Sequence, residues 1–238
     1  MKLDILAFGA HPDDVELSAA GVLISHINHG YKCGIVDLTR GELGTRGDAD
    51  TRDREAAAAA QIMGISVREN LGMDDGFFTN DKEHQLEIVK MIRKYQPEII
   101  LCNAESDRHP DHGRASGLVS NSVFLAGLPK VETSFEEQDQ KAWKVKSVYH
   151  YIQDRFLKPD VVVDISLHWD QKMDAIQAYK TQFYQPGAKG PQTAISTKEF
   201  LDFLAGRSAE MGRPAGFKYA EGFTVERYPG VKDLFNLH

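Results

Sequence analysis

Apolar and polar residues follow two different spacings along this chain, and each switch between them marks an element. Residues 3–8 form a short continuous apolar run ended by Gly9, the pattern of a buried strand. Residues 15–29 take a helical spacing instead. Val15, Leu17, Val22, Leu23, Ile24 and Ile27 make its apolar stripe, and Gly30 stands where a helix stops. Residues 32–39 return to the strand pattern with Cys33, Ile35, Val36 and Leu38. Asp50 or Thr51 offers the cap of a second helix, whose Ala-rich stretch at 55–62 is strongly helical and ends at Gly64. A weak strand at 67–71, a loop at 72–80 and a helix at 81–95 follow. That helix turns Leu86, Ile88, Val89, Met91 and Ile92 inward. Residues 98–102, after Pro97, read as another buried strand. The second half predicts a helix at 113–126, a polar surface segment at 127–144, and strands at 146–152 and 161–165. It continues with a helix at 169–179, a long loop at 185–197 and a short strand at 220–225. Between the last two, Ser196 and Glu199 form a capping-box pair for a helix reaching about residue 210.

Strand and helix alternate through the first half, which implies an α/β architecture. The expected fold is a Rossmann-like, mostly parallel sheet with helices on both faces, three layers α/β/α, built as one domain over residues 1–238. Composition narrows the function without changing that picture. The net charge of −7 argues against a general nucleic-acid binder, since phosphate contact wants a basic face. No apolar run approaches the ~20 residues that a membrane span needs. The chain enters a strand pattern at once, without the layout of a signal peptide, so a cytoplasmic location is expected. Cys33 and Cys102 fall inside buried strands and lack zinc-finger spacing, so they read as small core residues.

Chemistry concentrates where strands give way to helices. Gly9-Ala10-His11-Pro12-Asp13-Asp14-Val15-Glu16 lies between the first strand and the first helix. Asp107-Arg108-His109-Pro110-Asp111-His112 lies at the equivalent place after the strand at 98–102. Open α/β sheets put their ligands at the carboxyl ends of strands, so the two turns are expected to meet. Two imidazoles and a carboxylate with an open position make a hydrolytic metal site. His11, Asp14 and His112 are the expected ligands. Asp13 and His109 then stand unligated beside the metal, a carboxylate able to take a proton from water and an imidazole able to support an oxyanion. The plainer reading makes Asp13 or Asp14 an N-cap of the first helix and leaves the histidines on the surface. Two such clusters on two strand-to-helix turns favour the metal.

The pairing of Ala10-His11-Pro12-Asp13-Asp14-Val15-Glu16 with His109-Pro110-Asp111-His112 resembles the PIG-L (LmbE-like) family of zinc-dependent N-acetylglucosamine deacetylases. Gly41-Glu42-Leu43-Gly44-Thr45-Arg46-Gly47, Thr51-Arg52 and Lys218-Tyr219-Ala220-Glu221-Gly222-Phe223 look like its bacillithiol-biosynthesis branch. The resemblance implies Zn2+, or another divalent ion such as Fe2+, on His11, Asp14 and His112. It implies Asp13 as general base and His109 as acid or oxyanion stabiliser, oriented by Asp111. It implies N-acetylglucosaminyl malate as the small-molecule amino-sugar substrate, and a homo-oligomer. Val15 stands where the commonest family pattern has Glu directly after the second Asp. Some members supply a tyrosine to the oxyanion, and Phe200 stands where that residue is sought.

Arg52 matches an arginine that the family keeps near its catalytic centre. As an ordinary helix-face residue it would instead pair with Glu55 or Asp48, for little gain. Arg46, Arg108 and Arg207 are candidates for the carboxylates of malate, which suit guanidinium forks. His26 and His29 suit the negative end of the first helix. His84, His150, His168 and His238 show no partner pattern, and Trp143 and Trp169 read as packing residues. Two rival functions follow: a hydrolase of another N-acyl sugar or amide, and a non-catalytic sugar- or nucleotide-binding module. The second lacks the Gly-x-Gly-x-x-Gly turn, whose place is held by His-Pro-Asp-Asp.

Overall fold

The computed structural model describes residues 1–237, so His238 lies outside the described residues. β1 (Ile5–Gly9) and β2 (Cys33–Thr39) are buried at every position, as central parallel strands must be. With β3 (Val67–Met73), β4 (Ile99–Cys102), β7 (Ser147–Tyr151), β8 (Val161–Asp164) and β9 (Ala220–Val225) they form one seven-stranded sheet. Its order is β3-β2-β1-β4-β7-β9-β8. β3, β2, β1, β4 and β7 run parallel, and β9 is antiparallel to both neighbours.

Side chains leave the sheet in alternation. Ile5 and Ala7 pack with α1 (Asp14–Asn28), α2 (Ala49–Met63) and α5 (Trp169–Gln177) on one face. Leu6 and Phe8 pack with α3 (Lys82–Tyr95) and α4 (Pro110–Ala126) on the other. The three expected layers are therefore present. α6 (Lys198–Gly212) lies near β9, with Met211 against Ala220.

The departures from expectation are local. α2 is capped by Asp48, whose side chain accepts from Thr51 N, so the cap lies ahead of Asp50 and Thr51. α6 is capped by Thr197, which accepts from Phe200 N, so the Ser196/Glu199 box is not used. Part of 127–144 is a small hairpin, β5 (Ser134–Phe135) with β6 (Gln138–Asp139). α4 starts at Pro110 rather than Gly113, because proline suits the first helical turn, where its missing N–H costs nothing. That early start carries Asp111 and His112 into the first turn of a helix. No helix among the described residues is long and apolar enough to cross a membrane.

Candidate metal centre and active site

The strand order reverses between β1 and β4, the switch point at which open α/β sheets form their crevice. The turn after β1 carries His11 to Asp14, and the turn after β4 carries Asp107 to His112. Both reach the same cleft, of about 320 Å³, which His11, Asp13, Asp14, His109 and His112 line together.

Asp14 sits between the two histidines that were expected to share an ion with it. Its Oδ2 lies 3.6 Å from His11 Nδ1 and its Oδ1 lies 3.1 Å from His112 Nε2. Two donors about 2.0–2.1 Å from one tetrahedral ion stand about 3.3 Å apart, so the Asp14–His112 separation suits a common metal, while His11 Nδ1 faces the other Asp14 oxygen. The outward nitrogens are held by carboxylates. His11 Nε2 lies 3.0 Å from Asp75 Oδ1 and 3.3 Å from Asp111 Oδ2. His112 Nδ1 lies 2.5 Å from Asp107 Oδ2. A carboxylate behind a histidine fixes the ring and its tautomer, the usual support of a metal-bound imidazole. Two trios bring one donor atom each within 4.8 Å of one another, His11, His109 and His112, and His11, Asp75 and Asp111; the expected trio with Asp14 is not one of them. His11 belongs to both.

Charge follows this geometry. Burial alone would lower the His11 pKa, but hydrogen bonds to Asp111, Asp14 and Asp75 outweigh it and raise the pKa well above the usual value. His112 is likewise opposed by burial, yet the charge of Asp14 and the bond to Asp107 lift it to about 9. Asp14 goes the other way. Burial favours its neutral form, but the His112 charge and the bonds from both histidines hold its pKa well below the carboxylate range. An ion entering here displaces protons from two imidazoles, so its uptake weakens in acid.

Asp13 is different in kind. It stands at the N-cap position of α1 with φ 116, a left-handed conformation costly for a residue with a Cβ. Its side chain makes no capping bond among the described residues, and the Asp14 carboxylate accepts from His11 N within the turn instead. Neither aspartate is thus the side-chain cap that the plainer reading offered. Asp13 lines the cleft with its Oδ2 3.3 Å from Arg52 Nη2. Burial raises its pKa to about 7, with Arg52 pulling down and Asp14 pushing up.

His109 caps α4. Its Nδ1 accepts from Asp111 N at 3.3 Å, which places the ring proton on Nε2. Its ring stands 4.7 Å from that of His11 and 5.2 Å from that of His112. Burial and then the charges of His11 and His112 lower its pKa, so it is a neutral donor. The expectation that Asp111 orients His109 is corrected in part. The backbone N–H does so, while the carboxylate turns to His11 and is held by Gly76 N and Arg114 Nη1. Burial opposes ionisation of Asp111, but the His11 bond and Gly76 N–H bring its pKa down to about 2.

The arginines separate. Arg52 is buried and donates to Pro12 O at 2.7 Å as well as to Asp13, so it addresses the turn after β1 rather than Glu55 or Asp48. Gly41, at φ +63, lies so close that an added Cβ would meet the guanidinium at 3.0 Å. Arg108 lines the cleft and pairs with Asp154 at 2.7 Å. Arg46 does not line the cleft. Its guanidinium donates to Thr181 O at 2.6 Å and to Pro191 O at 3.2 Å, away from the place expected of a substrate arginine. Arg207 donates to Asp154 O and lines a side cavity that shares Arg108, His112, Leu17 and Ile195 with the cleft. Phe200 lines that side cavity too, and among the described residues no tyrosine lines the cleft.

Sequence reasoning overlooked Asn103, Asp75 and Gln153 and gave Asp107 no task. Asn103 and Gln153 follow the ends of β4 and β7, where an α/β sheet puts its chemistry, and that position was their signal. His150, read as unpartnered, lies 2.9 Å from Ser116 Oγ and 3.2 Å from Glu226 Oε1.

The model of the GlcNAc-PI de-N-acetylase family, PIG-L, matches residues 6–123. The diacetylchitobiose deacetylase of Thermococcus kodakarensis is 27% identical, over 95% of this chain and 84% of its own. The 4-oxalmesaconate hydratase of Pseudomonas putida is 29% identical, over 74% of this chain and 73% of its own. The crystal structure of the conserved protein TT1542 from Thermus thermophilus superimposes with a TM-score of 0.86 at 32% identity. It covers 96% of this chain and 97% of that one. Motifs, sheet order and these likenesses agree: the chain belongs to the PIG-L family.

Proposed function

We propose that this chain is a metal-dependent hydrolase that removes the acetyl group from an N-acetylated amino sugar. One observation carries the reading. Two distant turns place a histidine nitrogen on either side of Asp14, while a second buried carboxylate, Asp13, faces the same cleft without belonging to that set. His11, Asp14 and His112 would hold the metal, and zinc suits two imidazoles and a carboxylate. A divalent ion there supplies Lewis acidity and a water of lowered pKa.

The chain's own residues supply the rest. Asp13 takes the proton of the attacking water, which its raised pKa suits near neutrality. Arg52 keeps enough of Asp13 ionised to act and anchors its turn through Pro12 O. His109 donates from Nε2 to the oxyanion that forms as the carbonyl becomes tetrahedral. Asp13, now protonated, returns its proton to the departing amine nitrogen.

The substrate we propose is N-acetylglucosaminyl malate, of the bacillithiol type. Arg108 and Arg207 then hold the malate carboxylates at the side cavity. Arg207 Nη1 is buried there without a partner among the described residues, and such a donor favours an acceptor from outside. Likeness to a hydratase supports a second reading, addition of water to an unsaturated dicarboxylate at the same centre. Acetate release from N-acetylglucosaminyl malate, N-acetylglucosamine and diacetylchitobiose tests the proposal, with an unsaturated dicarboxylate as the fourth arm. The malate conjugate is expected to turn over fastest. Hydration of the dicarboxylate with no acetate from any sugar would overturn the deacetylase reading.

A further inference from the structure

The Asp14 carboxylate is bracketed by two side-chain amides. Asn103 Nδ2 donates to Oδ2 and Gln153 Nε2 donates to Oδ1, each at 3.0 Å. The amides also hold each other, Asn103 Nδ2 to Gln153 Oε1 at 2.9 Å. Backbone donors fix which way round both lie. Ala10 N donates to Asn103 Oδ1 at 2.9 Å, and Ala104 N donates to Gln153 Oε1 at 3.4 Å. Neither amide is therefore free to flip and present its oxygen to Asp14.

Counting lone pairs gives this arrangement a consequence. An ionised carboxylate has about four acceptor positions, two on each oxygen. On Oδ2, His11 N and Asn103 Nδ2, each at 3.0 Å, take both, and His11 Nδ1 stands farther off at 3.6 Å. On Oδ1, Gln153 Nε2 takes one. A single position remains, on Oδ1, the oxygen that His112 Nε2 faces at 3.1 Å. Both amides are buried, Asn103 entirely, and they stand just past the ends of β4 and β7.

We propose that Asn103 and Gln153 form an amide clamp that makes Asp14 a one-oxygen metal ligand. They saturate Oδ2 and hold Oδ1 in register with His112 Nε2. The two residues act through Asp14 and touch neither substrate nor metal, so they are positioning residues. Neutral amides suit the task, because they donate to the carboxylate without competing for its charge. A one-oxygen aspartate would leave a bound ion more room for other ligands. The proposal rests on the reading of Asp14 as a ligand.

The test uses full-length protein stripped of metal and loaded with Co2+. Affinity is measured by competition with a chromophoric chelator, and geometry by the visible absorption of the bound cobalt. Gln153→Met keeps the side chain's length and removes its donor. It is expected to weaken Co2+ binding by about 10- to 100-fold, the range for losing a residue that supports a metal ligand. Asn103→Met frees Oδ2, and the second oxygen then joins the ion, so the cobalt bands weaken as coordination number rises. Asn103 also holds Ala10 N, so if that variant fails to fold, Gln153→Met alone decides. A folded Gln153→Met protein with wild-type Co2+ affinity and wild-type bands would overturn the clamp, even if its melting temperature fell. Asp14→Ala separates the two levels. If it binds Co2+ as tightly as wild type, the ligand assignment fails. If it loses Co2+ while Gln153→Met does not, only the clamp fails.

Discussion

Arg52→Leu removes the cation beside Asp13 while leaving an apolar side chain in its place. The pair is 3.3 Å apart, and both side chains are almost wholly buried. Coulomb's law at that distance, with an effective dielectric of about 20, gives about 5 kcal/mol as a ceiling. Charge pairs of this kind move a carboxylate by about 1–3 pH units. Asp13 stands at about 7 with Arg52 present. Without it, the pKa moves up, because the ionised form loses its counter-charge and keeps its burial and its like-charged neighbour Asp14. From a pKa of about 7, a rise of about 1–3 units would cut the ionised share at pH 7 from about half to about 9% or about 0.1%, a loss of about 5- to 500-fold in base. The assay is kcat/KM for acetate release between pH 5.5 and 10. Activity that needs ionised Asp13 rises with pH through the folded pKa, so the acid limb should lie at higher pH in Arg52→Leu than in the wild type. Activity should recover at alkaline pH. An acid limb that stays in place, with activity lowered equally at every pH, would refute the assignment of Asp13 as the titrating base.

Asp13→Asn should keep its metal by elemental analysis and lose about 10²- to 10⁴-fold in kcat, the usual share of a general base; unchanged turnover would refute its role. Asp107→Leu leaves His112 Nδ1 without its carboxylate and should weaken metal binding about 10- to 100-fold, read by chelator competition. Arg207→Leu should raise KM for N-acetylglucosaminyl malate by about 10- to 100-fold, the worth of a hydrogen bond to a charged group, with a much smaller effect on N-acetylglucosamine. An equal effect on both sugars would remove Arg207 from the carboxylate site. Lys172 and Glu221 are a fully buried pair 2.6 Å apart, with Glu221 also accepting from Gly21 N and Val22 N of α1. Lys172→Met should cost about 3–5 kcal/mol in urea unfolding, because Glu221 is left buried without its cation.

Much of the fold was legible because its cause is local. Ile5 to Gly9 and Cys33 to Thr39 are buried on both faces, and continuous apolar runs announce that condition. The hairpin at 134–139 and the place of β9 between β7 and β8 were not legible, since pairing is decided by distant partners rather than by nearby residues. The candidate site divides in the same way. His11, Asp13, Asp14, His109 and His112 were found because they cluster on two strand-to-helix turns. Asp75 and Gln153 were not, because each lies outside the two turns and its meaning appears only when the fold brings it against His11 or Asp14. Arg46 shows the converse. Its guanidinium suited a carboxylate of the substrate, and in the fold it bonds the chain at Thr181 O and Pro191 O. The 218–223 motif proves to carry a packing function as well, through Glu221 beneath α1.

Crystals loaded with a divalent metal and measured at its absorption edge would locate the ion directly by anomalous scattering. One strong peak bounded by His11 Nδ1, Asp14 Oδ1 and His112 Nε2, with Asp13 nearby and unligated, is the predicted result. A peak seated instead among His11, Asp75 and Asp111, with Asp14 and His112 outside its coordination, would contradict the account.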